Sequence, residues 1–272
     1  MNKEFLARDD ASLPEGLWEE IDKTIEKSAS AQMTSRRFLP LFGPLGPGAE
    51  TVMINKPDEE EVLEDGIGTM EGQEIIRLPQ LFQDFQLFWR NLEYSSLHHY
   101  PVDLSSATAA AQKLASAEDR LVFFGNERLG AKGLFNADGI QKAARSDWKT
   151  GEGAFSDIAS GIISFTKEGI LGEKYLIVSP DLYVDLQRIQ PSLGMVEIDR
   201  INSLLGHKVI NAPVLGPGKA ILVCAEPQYM DLAIGIDVST GYLELADFNH
   251  VFRIMETAAL RLKNPKAVVV FE

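Results

Sequence analysis

Residues 102–134 read VDLSSATAAAQKLASAEDRLVFFGNERLGAKGL, and the rest of the chain is organised around them. Asp103 and the serines after it carry oxygens that can accept the free N–H groups at the start of a helix. Apolar residues then recur at spacings of three and four, which predicts a buried helical face made of Leu104, Ala107, Ala111, Leu114, Ala115, Leu121 and Val122. Gly125 predicts the end of this helix. A helix of about twenty residues is roughly 30 Å long, so we expect it to be the central strut of a domain.

The composition is that of an ordinary globular protein: 272 residues, of which 45% are hydrophobic and 24% are charged. This length permits one or two domains. The single cysteine, Cys224, cannot form an internal disulfide, which favours a reducing cytoplasm. We expect neither a secretion signal nor a membrane span, because no apolar run of about eighteen residues occurs. The formal net charge of −14 disfavours nucleic acid as a general partner.

Two segments lead from the first residues toward the strut. Residues 13–35 predict an amphipathic helix with one apolar stripe: Leu17, Trp18, Ile21, Ile25, Ala29 and Met33. Residues 36–48, RRFLPLFGPLGPG, mix prolines and glycines with apolar side chains, which predicts an irregular segment. This segment is either a simple connector or a ledge packed beside the first helix.

Residues 49–88 change to a strand-like pattern. TVMIN and EIIRLPQLFQDFQLF are rich in β-branched and aromatic residues, and the acidic PDEEEVLEDGIGTMEGQE lies between them. This order predicts a long hairpin arm. Because exposed strand edges bind other strands, we hypothesise that the arm rests on a neighbouring subunit.

The region after the strut predicts further helices at residues 155–167 and 195–205. KYLIVSPDLYVDLQRI predicts a buried strand and then a helix that begins at Pro180. Six strands follow: HKVI, AILVC, MDLAIGI, YLEL, VFRIMETAALRL and AVVVFE. The mixture predicts an α+β fold.

No residue pattern predicts an active site. His98 and His99 are adjacent and therefore point in different directions, so we expect no metal site there. Cys224 lies in an apolar strand and is expected to be a core residue. Asp247 and His250 could form an acid–base pair, but no third group accompanies them. We therefore predict a protein that is not an enzyme and whose arm and apolar first helix serve assembly.

Several segments, taken together and in order, resemble the family 1 encapsulins, also described as linocin- or bacteriocin-like shell proteins. The matching segments are LWEEID, RRFLPLFGPLG, FQLF, VDLSS, AEDRLVFFGNERLGAKGL, FTKEGILGEKYLIVSPD, IGIDVSTGY, IMETAALRL and NPKAVVVFE. They cover essentially the whole chain, and AEDRLVFFGNERLGAKGL is the most specific of them.

The resemblance implies the HK97-type phage capsid fold, with a peripheral domain, an axial domain and an extended loop. Residues 1–48 would be a cargo-facing helix and connector, and residues 49–78 the extended loop. Residues 79–138 and 238–272 would form the peripheral domain, and residues 139–237 the axial domain.

The resemblance also implies a function. Such subunits assemble into a closed icosahedral shell in the bacterial cytoplasm, and the shell encloses a cargo enzyme that carries a C-terminal targeting peptide. The cargo would be a ferritin-like iron-oxidising protein or a dye-decolorising peroxidase. The partners would thus be copies of the chain and the cargo, with neither nucleic acid nor membrane. The alternative is a phage or prophage major capsid protein that packages DNA.

Three sets of residues match functional positions of the family. The cargo-peptide positions are Trp18, Ile21, Ile25, Arg36, Leu39, Leu245 and Phe248, and a short peptide would insert apolar side chains into a groove there. Ile21 and Ile25 could equally be core residues, because helix stripes usually are. The five-fold pore loop matches Gln190, Pro191, Ser192, Leu193 and Gly194. Where some relatives stack a flavin on an aromatic ring, this chain has Arg90 beside Trp89, so we expect no cofactor.

Overall fold

A computed structural model describes residues 4–54, 60–63, 67–70, 74–150, 152–190 and 194–272 of the chain. Its helices are α1 (Glu15–Gln32), α2 (Trp89–His98), α3 (Ser105–Phe124), α4 (Gly153–Lys167), α5 (Pro180–Asp185) and α6 (Glu197–Leu205). Its strands are β1 (Leu41–Phe42), β2 (Thr51–Ile54), β3 (Glu60–Leu63), β4 (Ile67–Met70), β5 (Glu74–Arg77), β6 (Gln80–Leu87), β7 (Gln141–Ala143), β8 (Lys174–Val178), β9 (Ile189–Gln190), β10 (Met195–Val196), β11 (Ile210–Asn211), β12 (Ala220–Cys224), β13 (Met230–Ile234), β14 (Ser239–Ala246), β15 (Asn249–Leu262) and β16 (Val268–Phe271).

The first sheet is built around β15, a strand of 14 residues. Its first half pairs antiparallel with β14 on one side and with β6 on the other. Its second half pairs antiparallel with β13, and β1 runs parallel beside β13. One long strand therefore connects the two ends of this sheet.

Helices α1 and α3 lie against this sheet. Ile21 and Ile25 of α1 are fully buried in the same core cluster as the alanines of α3. Because alanine is small, the two helices can approach closely. Trp18 meets the ring of Phe252 on β15 edge-on, with 5.4 Å between the centroids. The stripe on α1 is thus core in this subunit.

The turn after α3 explains the glycines of the AEDRLVFFGNERLGAKGL segment. Gly125 has φ +68°, and a Cβ at this position would lie 2.2 Å from the carbonyl oxygen of Ala131. A Cβ on Gly133 would lie 2.4 Å from the nitrogen of Gly125. Only glycine fits either position, so the chain can fold back along the end of α3.

The second sheet has the order β11-β8-β12-β16-β7. Strands β12 and β16 are buried along their whole length. Helix α4 covers this sheet at Gly161, where a Cβ would lie 2.9 Å from the side chain of Leu222. Trp148 is fully buried in the same core, and its indole N–H donates to Asp157 at 2.8 Å.

Two further strand pairs lie in the predicted arm, residues 49–78. β2 pairs antiparallel with β5 at the base of the arm, and β3 pairs antiparallel with β4. Val52 and Leu78 at the base pack on Ala233 and Ala259 of the first sheet. The hairpin pattern predicted for this region is therefore present in the described residues.

The structure confirms most predicted elements, including the strut, which is α3, and the start of α5 at Pro180. Residues 36–48 form a ledge: Phe38 and Leu39 are buried, and β1 extends the first sheet.

Sheet membership divides the chain differently from the predicted domain boundaries. β16 lies in the second sheet, although residues 238–272 were predicted to belong to the peripheral domain together with residues 79–138. β13 lies in the first sheet, although residues 139–237 were predicted to form the axial domain.

Candidate cargo groove, pore loop and outer surface

Arg36 links the segment that follows α1 to three other parts of the chain. Its Nε donates to Glu118 of α3 at 2.8 Å, and its Nη2 donates to Glu256 of β15 at 2.7 Å. Its Nη1 donates to Asp237, in the connection between β13 and β14, at 2.7 Å. Charge-assisted bonds from a planar guanidinium fix the directions of all three carboxyl groups. The predicted cargo residue Arg36 is therefore a structural centre of this region.

Two carboxyl groups of this cluster are buried beside the Arg36 guanidinium. Glu118 and Glu256 are both fully buried. Burial, and then the charge of Glu118, raise the pKa of Glu256 well above its ordinary value. Burial alone would lower the pKa of Arg36, but its bond to Glu118 and the charges of Glu118 and Glu256 raise it. The raised pKa favours the neutral form of the Glu256 carboxyl, whose Oε1 is buried and makes no hydrogen bond within the described residues.

Asp119, next to Glu118 on α3, holds the chain that leads into Arg36. Its carboxylate accepts the backbone N–H of Thr34 at 2.9 Å and that of Ser35 at 2.8 Å. The hydroxyl of Ser35 donates to Glu118 at 2.9 Å. Two consecutive acidic residues of the central helix therefore fix the exit of α1. Sequence reasoning missed them because it assigns charged residues to the solvent-facing side of a helix.

A groove of about 310 Å³ lies between α1 and the start of β14. Its lining includes Ile25, Ser30 and Arg36 on one side and residues 237–240 on the other. At one end Arg8 makes a bidentate ion pair with Asp22, with both N···O distances at 2.7 Å. Both cations of the groove are thus already paired within the subunit. The groove is lined on the α1 side by exposed as well as buried side chains, among them the exposed Ser30.

The structure separates the predicted cargo residues. Ile25 and Arg36 line the groove, but Trp18 and Ile21 are buried between α1, α3 and β15. Leu39 is buried in the core of the second sheet. In the single subunit the side chains of Trp18, Ile21 and Leu39 pack in the core, and their role in binding a cargo peptide stays a prediction.

Leu245 and Phe248 lie at the far end of the β14–β15 hairpin. At about 3.3 Å per residue, Leu245 is roughly 17 Å along the strand from Thr240, the last groove residue. Both side chains are exposed, Phe248 by 77%. Asp247 and Phe248 have positive φ, as a two-residue hairpin turn requires. These two residues belong to a different surface from Arg36.

Gln190 and Gly194, the two ends of the predicted pore loop, lie in or next to a pair of short antiparallel strands. Gln190 ends β9 and pairs with Met195 of β10, and the N–H of Gly194 donates to the carbonyl of Gln190 at 2.8 Å. Gln190 is buried, and Gly194 has φ +65°. Pro191, Ser192 and Leu193 lie outside the described residues.

Helix α2 occupies the position at which a flavin was considered. The guanidinium carbon of Arg90 lies 5.5 Å from the centroid of the Trp89 ring. Further along, Tyr94 packs on His98 at 4.5 Å between ring centroids. In the described ranges, no three His, Cys, Asp or Glu side chains come together as a group that could hold a metal ion.

Cys224 is buried in β12, and burial raises the pKa of its thiol to about 11, so the nucleophilic thiolate is disfavoured. No helix in the part of the chain that the structure describes has both the length and the apolar character to cross a membrane.

The chain has the fold of capsid-type proteins. The structure of a virus-like particle from Pyrococcus furiosus superimposes with a TM-score of 0.76 at 22% identity, covering 94% of this chain and 99% of that chain. The capsid of the Myoviridae phage XM1 gives a TM-score of 0.63 at 14% identity, covering 88% and 91% of the two chains. At these identities the likeness shows the fold alone, and this fold is the HK97-type fold that was predicted.

Sequence comparison narrows the class. The family described as "encapsulating protein for peroxidase" matches residues 1–259. The type 1 encapsulin shell protein of Myxococcus xanthus is 31% identical over 277 residues, covering 99% of this chain and 96% of that protein. The chain belongs to this encapsulin family and is a shell protein, as the resemblance predicted. The alternative of a phage capsid protein is less well supported.

Proposed function

We propose that copies of this chain assemble into a closed, hollow shell that encloses a cargo enzyme in the bacterial cytoplasm. The observation that carries the proposal is the match to an encapsulating family over residues 1–259, together with the capsid-type fold. A closed symmetric assembly repeats one set of contacts many times, so modest contacts give a stable particle. The role of the chain is structural, and catalysis belongs to the cargo.

The exposed apolar side chains of the subunit support assembly. They lie in the arm, in α2 and at the hairpin turn, and include Met53, Ile75, Leu97, Leu245 and Phe248. We propose that these side chains become covered when copies of the chain meet. We assign the arm, residues 49–78, to contacts between neighbouring subunits.

We assign the groove beside α1 to the targeting peptide of the cargo. Ser30 and Arg36 would contact the peptide directly, while Trp18, Ile21 and Ile25 hold α1 in place behind it. The family description favours a peroxidase as cargo, and a ferritin-like protein is the second candidate. The turn at residues 190–194 is assigned to a pore at a symmetry axis, where an acidic surface would favour the entry of cations.

A groove-blocking variant tests the assignment. Ser30 lines the groove and Lys27 lies on an exposed part of the same helix outside it. Ser30→Trp should prevent co-purification of a fluorescent protein that carries the C-terminal segment of the cargo, whereas Lys27→Trp should leave loading unchanged. Equal loading of both variants would remove the groove from the proposal.

Electron microscopy and absorbance of the purified protein separate the two shell functions. An encapsulin gives hollow particles whose absorbance at 260 nm is that of protein. Particles filled with DNA would favour the phage capsid alternative.

A further inference from the structure

The junction between the arm and the body of the subunit contains one buried cation, Arg261. It lies on β15, directly across from Asp231 of β13, and its Nε and Nη2 donate to the two carboxylate oxygens at 2.7 Å each. Its Nη1 donates to the backbone carbonyl of Met53 in the arm strand β2 at 3.2 Å. Its guanidinium carbon lies 3.7 Å from the centroid of the Phe42 ring on β1. The side chain of Arg261, on β15, therefore contacts the arm strand β2 and the strands β13 and β1 of the first sheet.

The surroundings leave this cation little freedom. The side chains of Arg261 and Asp231 are 9% and 4% exposed. Lys263 adds a second cation to Asp231, with an N···O distance of 2.6 Å. A buried ion pair keeps its geometry because loss of a partner leaves an uncompensated charge. The direction in which Nη1 points is thus fixed by the body, before the arm is considered.

The apolar contacts at the same junction define the angle between the arm and the body less sharply than this hydrogen bond does. Val52 and Leu78 of the arm rest on Ala233 and Ala259. Alanine side chains form a smooth surface with no deep hole for a neighbouring side chain. Such a surface permits close approach but also allows rotation, whereas a hydrogen bond from a planar guanidinium restricts the angle.

We propose that Arg261 is a positioning residue that sets the angle of the arm on the body, and thereby the geometry with which copies of the chain meet. This inference rests on the proposed function, because it assigns a consequence for the shell. Its first part, the angle of the arm, is a property of the single subunit.

The same strand provides a matched control. Arg253 of β15 makes a bidentate pair with Asp84 at 2.7 and 2.9 Å and lies over the ring of Phe82 at 4.1 Å. Asp84 and Phe82 both belong to β6, outside the arm. Arg253→Lys therefore removes a comparable guanidinium pair and ring contact, although a more exposed one, without touching the arm.

The experiment compares Arg261→Lys with Arg253→Lys in the full-length chain. Hydrogen exchange of the arm strands Thr51–Ile54 and Glu74–Arg77 is measured on each protein as purified, and particle diameter is measured by electron microscopy on the same samples. Arg261→Lys should accelerate exchange in the arm strands about tenfold, the change that one charge-assisted hydrogen bond can support. It should also broaden the distribution of diameters. Arg253→Lys should do neither.

Two results would overturn the proposal. The first is that Arg261→Lys has the same exchange rates in the arm strands and the same particle diameters as the wild type. The second is that Arg261→Lys and Arg253→Lys change these two quantities equally. If Arg261→Lys does not fold, Phe42→Leu decides the matter, since it keeps the pair with Asp231 and removes only the ring that orients the guanidinium. Wild-type protein that forms no particles would refute the proposed function, while the exchange of the arm strands would still test Arg261.

Discussion

Replacing Ile21 with alanine should destabilise the subunit without removing a cargo contact. Ile21 is 0% exposed and packs in the core between α1, α3 and β15. The substitution removes three carbon atoms, which at about 0.8 kcal/mol per buried CH2 group is about 2.4 kcal/mol. The cavity left behind raises the expected loss to about 2.5–4 kcal/mol.

Thermal unfolding measures this loss. For a chain of this size, 1 kcal/mol corresponds to about 2–4 °C in Tm, so we expect a decrease of about 5–15 °C. Lys23→Ala, on the exposed side of the same helix, should change stability by less than about 0.5 kcal/mol. Particles are compared at one protein concentration, because assembly stabilises the folded chain.

Cargo loading of the same preparations decides between core and docking roles. The molar ratio of cargo to shell in the particles of Ile21→Ala should equal that of the wild type. A wild-type Tm combined with lost loading would show that Ile21 faces the peptide and that the packing described here is wrong.

Three other perturbations have definite outcomes. Because the pKa of Glu256 is raised in the folded chain, the stability that this carboxyl contributes is complete below its ordinary pKa of 4.5 and is lost as pH rises through the raised pKa. The Tm should therefore fall less toward alkaline pH in Glu256→Gln than in the wild type. Parallel curves of Tm against pH for the two proteins would contradict this. Arg36→Met leaves Glu118 buried without its cation and should cost about 3–5 kcal/mol in denaturant titration, whereas a loss no larger than that of the exposed neighbour variant Arg37→Met would disprove the structural role. Deletion of residues 58–72 should leave a folded subunit by circular dichroism but impair particle formation, and normal particles would show that this part of the arm is dispensable.

Apolar periodicity predicted the helices and strands that carry the cores. The stripe of α1 and that of α3 have clear spacings of three and four, and the tail strands are apolar runs bounded by turns. What periodicity cannot tell is what covers a stripe. Trp18 and Ile21 were considered as a docking surface and as core, and the covering alanines of α3 lie about ninety residues further along the chain.

The charged cluster could not have been found from local patterns. Glu118 and Glu256 are buried only because Arg36 reaches them from 82 and 220 residues away. A pattern of neighbours in sequence contains no information about such a partner. The same reason explains why the sheet of β16 was not predicted, since an apolar strand carries no mark of the sheet it joins.

The resemblance and the residues together predicted more than either alone. The residues predicted a hairpin arm that rests on a neighbouring subunit, and the resemblance identified this arm as the extended loop of a capsid-type subunit. The assignment of Leu245 and Phe248 to the cargo site stays a prediction; Leu245 lies near the end of β14 and Phe248 in the hairpin turn, roughly 17 Å or more along the strand from the groove.

The mass of the native assembly tests the central claim most directly. Sedimentation of the purified protein should give one species many times heavier than the 30.0 kDa chain, and the same sample should show hollow particles of uniform diameter by electron microscopy. A single 30.0 kDa species under native conditions would contradict the shell and every role assigned here to the arm, the groove and the pore turn.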